Sequence, residues 1–335
     1  MTGGAAPLRL TAALSRNTYT EPVLHGAARA DGLVLDARAM HPSEMFWRQL
    51  KNREFDVSEM SLASMFILHA AGNRDWLPLP VFTSRRFFHA HVLVRADVAA
   101  SRPADLAGLR VGVPEYQQTA AVWARGVLRD DHGLDPRDVR WVMERPAERS
   151  HAGVSGFTVP AEIDLTVCLP GVALAELLAA GDLDALLLNL PARNLVDVGN
   201  KGVDVEAITR PLFPDRRAET ARYWRAHGVW PANHCIVVRR QLAEEHPWLP
   251  GAVRALFDDA KRRVLRGRGE HLESLRDMGV LDGAQAAELG RDRMPYGLDD
   301  PAMLDTLARY VAEQGLTPGL VDPADLFPGQ QVAVT

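Results

Sequence analysis

Apolar positions along the chain alternate between short β-type runs and one-sided helical stretches. Leu8 to Leu14, Leu33 to Ala37 and Phe55-Asp56-Val57 read as strands, each followed by a helical stretch: Thr20 to Ala30, Pro42 to Lys51 and Leu62 to Ala71. Pro22 suits a first helical turn, and Ser61 suits an N-cap. Val81-Phe82 and His89 to Arg95 read as two more strands, flanking the loop Thr83 to Phe88. Strand–helix alternation at this spacing argues for a mostly parallel sheet.

The stretch around which the chain is organised is Val111 to Arg125. Arg110-Val111-Gly112-Val113 is a β-branched run stopped by Pro114, and Thr119 opens an apolar-periodic helix through Trp123 and Leu128. Between them lie Glu115, Tyr116, Gln117 and Gln118. Unpaired amides at a helix start beside such side chains suit a carboxylate, although any strand–loop–helix corner has the same form. Strands at Val139 to Val142, Asp164 to Leu169 and Ala185 to Leu188 follow, with a loop-rich insert from Arg145 to Pro160 and a helix from Val172 to Ala180. Ala218 to His227 reads as a helix, Cys235 to Arg239 as a buried strand, and Ala252 to Arg266 and Pro301 to Gln314 as amphipathic helices. The polar stretch Ser101 to Gly108 reads as a crossing into a second lobe, and Pro211 to Pro214 as the return. The expectation is a two-lobed α/β clamshell: residues 1–100 in lobe 1, 101–212 in lobe 2, and 213–335 back in lobe 1 with C-terminal helices. Its cleft would lie at the carboxyl ends of the strands.

Composition narrows the classes. At 335 residues, the chain is long enough for two cores. A net charge of -5 gives no reason to expect nucleic acid or an anionic membrane as partner. The two cysteines, Cys168 and Cys235, are far apart, which disfavours a disulfide framework or a structural zinc site. The N-terminal stretch lacks a basic segment followed by a long apolar one, so a cytoplasmic location is expected. No phosphate-binding loop, pyridoxal lysine context or dinucleotide fingerprint occurs.

Several stretches together carry a resemblance: Phe55 to Leu62; Pro80 to Arg85 with His89; Asp105 to Gly112; Pro114 to Gly126; Pro231, His234 and Val237 to Arg240; Pro247-Trp248; Pro295 to Leu298; and Glu313 to Leu316. In these the chain resembles the 4,5-dihydroxyphthalate decarboxylase family, built on the type 2 periplasmic binding protein fold. The resemblance implies a cofactor-independent carboxy-lyase acting on a hydroxylated aromatic carboxylate, with no organic cofactor and a divalent metal left open. The alternatives are a solute receptor of a transporter and another lyase on the same scaffold. A homo-oligomer is compatible with either. The chain departs from the family pattern in three places. Phe88 stands where an arginine precedes the histidine, Asn233 stands for methionine, and Asp300-Pro301 replaces Asn-Arg. Phe88 favours a ring with one carboxylate, or with a different second substituent.

Decarboxylating an arene requires a proton for the carbon that loses CO2, a base for the phenol and a clamp for the carboxylate. Arg85 is the expected clamp, through two parallel guanidinium hydrogen bonds, and Arg86 is expected to face solvent. His89 is the expected acid or base, with His91 on the same strand face. Glu59 is a base for the phenol or an acid favoured by the following helix, and Ser61 a hydroxyl donor. Glu115, Gln117 and Thr119 are expected to bind substrate from the other lobe. His234 is the second candidate catalytic histidine, or else one bonded to a backbone carbonyl, and Tyr296 reaches the cleft by its motif alone.

Overall fold

The computed structural model describes residues 6–299 and 301–329. Its strands are β1 (Leu8–Leu14), β2 (Leu33–Ala39), β3 (Val57–Ser61), β4 (Trp76–Arg85), β5 (Leu93–Arg95), β6 (Arg110–Val113), β7 (Arg140–Met143), β8 (Leu165–Val167), β9 (Ala185–Leu186), β10 (Thr209–Pro211) and β11 (Ala232–Arg239). They form two sheets, ordered β2-β1-β3-β11-β4 and β10-β5-β9-β6-β7-β8. In the first sheet β2, β1 and β3 run parallel, and β11 lies antiparallel between β3 and β4. In the second, β9, β6, β7 and β8 run parallel, and at one edge β5 lies antiparallel to β9 and β10 antiparallel to β5.

The chain passes between the sheets twice. The first passage joins β4 to β5, and the second joins β10 to β11 through the helix Arg216–His227. β5 already belongs to the second sheet, so the first passage precedes the polar Ser101–Gly108 stretch. That stretch is instead a 3-10 turn, Pro103–Leu106, on the way to β6. Pattern reading placed the crossing at the most polar connection. The actual one, Arg86 to Val92, is anchored by Phe87, Phe88 and Ala90 in the core, although Arg86 itself is exposed. His89 accordingly lies in a 3-10 turn, Phe88–His91, rather than at the start of a strand.

Two helices differ in length. The first helix is only Glu21–Leu24, and the helix expected from Ala252 runs from Leu249 to Asp277. β4 is far longer than the expected Val81-Phe82, and β3 shares only Val57 with the expected Phe55 to Val57, whereas most of the others hold to within a few residues, including the helix Thr119–His132. That helix ends at Gly133, whose φ of 70° provides the left-handed C-cap. Behind it, the helix Ala302–Glu313 brings Tyr310 edge-on to Trp123, 5.6 Å between centroids.

One apolar cluster runs through the molecule from Phe55, Phe66 and Phe82 to Val111, Trp123 and Leu307. A second lies between the first sheet and the Leu249–Asp277 helix, and a third around the helix Leu174–Ala180. A continuous core through both sheets fixes what lies between them. Among the described residues, no helix is long and apolar enough to cross a membrane. Asp300 lies outside the described residues.

Candidate functional site

A cavity of about 940 Å³ opens between the sheets. The first sheet and its helices contribute Ser43, Phe46, Ser61, Ser84, Asn233 and His234 to its wall. From across the cleft come Thr119, Ala120, His151, Leu188, Arg210 and Arg216.

His234 takes its position from strand register. It stands opposite Ser61 in the β11–β3 pair, which puts Glu59, two residues along β3, diagonally across on the same face. The Nδ1 of His234 lies 2.8 Å from Oε2 of Glu59. Glu59 is fully buried and also accepts from Ser15, whose hydroxyl is 2.8 Å from both carboxylate oxygens and whose amide is 3.1 Å from Oε1. A carboxylate accepts only, so Nδ1 carries a proton. The other nitrogen, Nε2, is 2.8 Å from the amide nitrogen of Asn233, and both side chains line the cavity.

Facing this pair is the Thr119 corner. The Thr119 hydroxyl lies 2.8 Å from that of Ser61, 58 residues earlier, and accepts from the Ala63 amide at 2.9 Å. Gln118, the N-cap, makes no side-chain cap, and it lines the cavity wall with Thr119 and Ala120 of the first turn.

A second imidazole enters from the loop-rich insert. His151 meets Glu115 twice, through its amide at 2.6 Å and its Nδ1 at 3.1 Å, while its Nε2 reaches the Ser43 carbonyl at 2.9 Å. Both ring nitrogens therefore face oxygen acceptors. Burial opposes the charge on Glu115, but His151 and Arg145 outweigh it and hold the carboxyl down at about 2. Arg145 itself is bound to Asp197 at 2.5 and 2.8 Å. Phe46 stands between the two imidazoles, edge-on to each, with centroids 4.8 Å from His234 and 6.0 Å from His151.

The expected residues therefore divide. Ser61, Thr119 and His234 meet at the cavity, whereas Glu59, Glu115 and Gln117 lie behind its wall, Gln117 donating to Glu115 at 2.8 Å. Arg85 does not line it: its guanidinium donates to the carbonyls of Trp230 and Pro295, at 3.0 and 2.9 Å. A guanidinium that caps two backbone carbonyls is not presented to a substrate carboxylate. His89 is turned away, buried against Tyr223 and Phe213, with Nε2 3.1 Å from Glu219. Burial lowers its pKa against the pull of that carboxylate. Tyr296 sits in the cluster beneath the first sheet, with Lys261 4.1 Å over its ring.

The cavity also holds residues that the sequence reading missed. Arg86 is exposed, as expected, but it lines the mouth and donates to His91 at 3.1 Å. Burial first, then Arg86, pushes His91 down to about 4. Arg210 is committed to the carbonyls of Val98 and Ala100, each at 2.8 Å. Arg216 is half-buried, and no carboxylate pairs with it among the described residues. It starts the helix of the second passage, where the only sequence signal was a basic pair after Asp215. Among the described residues, no group of three potential ligands is placed to hold a metal.

No family model matches the chain. The 4,5-dihydroxyphthalate decarboxylase of Comamonas testosteroni is 32% identical over 325 residues, 96% of each chain. That of Pseudomonas putida is 35% identical over 180 residues, covering 54% of this chain and 70% of that one. Among solved structures, the periplasmic aliphatic sulphonate binding protein SsuA of Escherichia coli superposes with a TM-score of 0.56 at 16% identity, over 98% of this chain and 95% of that one. The desulfurization enzyme DSZB gives 0.51 at 20% identity, over 95% and 96%. The fold is thus periplasmic binding protein-like, and by the near full-length likeness to the Comamonas protein the chain belongs to the 4,5-dihydroxyphthalate decarboxylase family.

Proposed function

We propose that the protein is a carboxy-lyase that removes CO2 from a hydroxylated aromatic carboxylate, with His234 as the proton donor. The observation that carries this reading is the Glu59–His234 pair, with Nε2 of the imidazole on a wall shared with the Thr119 corner. A hydroxyl ortho or para to the carboxylate supplies electron density to the ring carbon bearing it. The protonated His234 delivers its Nε2 proton to that carbon. The carbon–carboxylate bond then breaks, its electron pair restores the aromatic ring, and CO2 leaves. One proton enters for each CO2 released, and His234 is recharged from solvent. The Asn233 amide suits this cycle, because rotating it presents nitrogen to the neutral ring and oxygen to the protonated one.

Glu59 acts through His234, fixing its tautomer and the orientation of its ring. His151 has its nitrogens on a backbone carbonyl and a buried carboxylate, neither of which can turn to release it as the Asn233 amide can, and it serves as a fixed wall. The carboxylate is held by Arg216 and the first-turn amides of the Thr119–His132 helix. Phe46 and Phe88 give the ring apolar walls. No organic cofactor is needed, since the hydroxylated ring carries the charge itself.

The test is CO2 release by purified protein from 4,5-dihydroxyphthalate and a panel of hydroxybenzoates. Turnover is expected with at least one, and Arg216→Ala should raise KM more than tenfold. Tight binding of these acids with no CO2 from any of them would make the protein a receptor instead.

A further inference from the structure

Beside the cavity lies a second one, of about 590 Å³, with aromatic walls. Phe87 stacks on Trp230 at 5.6 Å with 23° between planes, and Trp224 meets Trp230 edge-on at 6.4 Å. Trp224 is 38% exposed, a large apolar side chain left open at the rim. The Trp230 Nε1 is buried and has no acceptor among the described residues, and an unsatisfied buried donor of this kind costs about 1–3 kcal/mol. A ligand oxygen there would remove that cost.

The charge around these rings is positive. Arg216, Arg217 and Arg293 contribute, against the single acid Glu288, which pairs with Arg293. Among the described residues no carboxylate pairs with Arg216 or Arg217, and the Arg216 Nε is buried without a partner. Asp215 is occupied in capping its own helix through the Ala218 amide at 2.9 Å. His91, Arg216 and Arg217 line both cavities, so the two adjoin through a shared cationic wall.

We propose that this second cavity is an outer binding site for an aromatic carboxylate, its ring against Trp224 and Trp230 and its carboxylate on Arg217, adjoining the inner cavity at Arg216. The choice of ligand class rests on the decarboxylase reading above. The aromatic walls select a flat ring, unpaired guanidinium groups select an anion, and the indole N–H adds one directional donor. A substrate held there sits next to the residue that clamps it inside, which raises its local concentration at the cleft.

The experiment is calorimetric titration of the full chain with benzoate, which lacks the hydroxyl needed for turnover. Two sites per chain are expected. Trp224→Ala and, separately, Arg217→Glu should each weaken one of them more than tenfold. Both residues are exposed, and circular dichroism checks that each variant folds. With a hydroxylated substrate, Trp224→Ala should raise KM several-fold at unchanged kcat. One site in the unmodified protein, or two sites indifferent to both substitutions, overturns the proposal. One-site binding together with CO2 release removes the outer site and leaves the decarboxylase standing. Two-site binding, altered by the variants, with no CO2 from any hydroxylated acid keeps the outer site and removes the decarboxylase.

Discussion

Nδ1 of His234 and Oε2 of Glu59 are 2.8 Å apart across neighbouring antiparallel strands, 175 residues apart in sequence. The carboxylate is fully buried, and the imidazole borders the cavity. A substitution on either side of this bond should therefore affect catalysis differently.

His234→Gln removes the titrating group and keeps a polar side chain of similar reach. It should lower kcat by about 10²–10⁴-fold, the usual range for losing a positioned acid. Aromatic-acid binding should persist within a few-fold, as measured by calorimetry. Unchanged kcat would remove His234 from the chemistry.

Glu59→Gln keeps the shape but takes away the charge that orients and supports the imidazolium. We expect a kcat loss of at least tenfold, which Glu59→Asp should restore in part. KM should hardly move, because Glu59 does not line the cavity. A kcat equal to that of the unmodified protein would count against the pairing.

Glu115 predicts an acid limb in stability. Its folded carboxyl is held at about 2 against an ordinary 4.5, so the unfolded chain takes up its proton first as pH falls. The contribution is fully present above pH 4.5 and is lost as pH falls towards 2. In urea titrations, the stability gap between the unmodified protein and Glu115→Gln should narrow across that window. A gap independent of pH would refute this.

Gly126 tests the core rather than the site. A Cβ there would lie 2.3 Å from Cδ2 and 2.5 Å from Cγ of Tyr310, a ring also packed on Trp123. Gly126→Ala should cost about 1–3 kcal/mol by overpacking, despite the better helix propensity of alanine, and lower the melting temperature. A rise in melting temperature would show that the ring yields freely.

What could be read from the sequence follows the range of the signal. The Thr119 corner was legible because a strand, a proline and a helix start lie within ten residues, and the buried strand ahead of Arg239 because its apolar run is local. Arg85 and His89 were misread for the same reason. The carbonyls that occupy Arg85 belong to Trp230 and Pro295, and the carboxylate that holds His89 is Glu219, 130 residues away. No local pattern registers such partners. Glu59 was found, but its partner was not, since the His234 imidazole lies 175 residues further along the chain. His151 and Arg216 escaped because their stretches looked like an insert and a helix start.

Phe46, edge-on to both imidazoles, acts as an insulator. An apolar ring neither donates nor accepts a hydrogen bond, so no proton relay runs through it from His234 to His151. An amide side chain in its place would offer each imidazole a new hydrogen-bond partner and so compete with Glu59 for the orientation of His234.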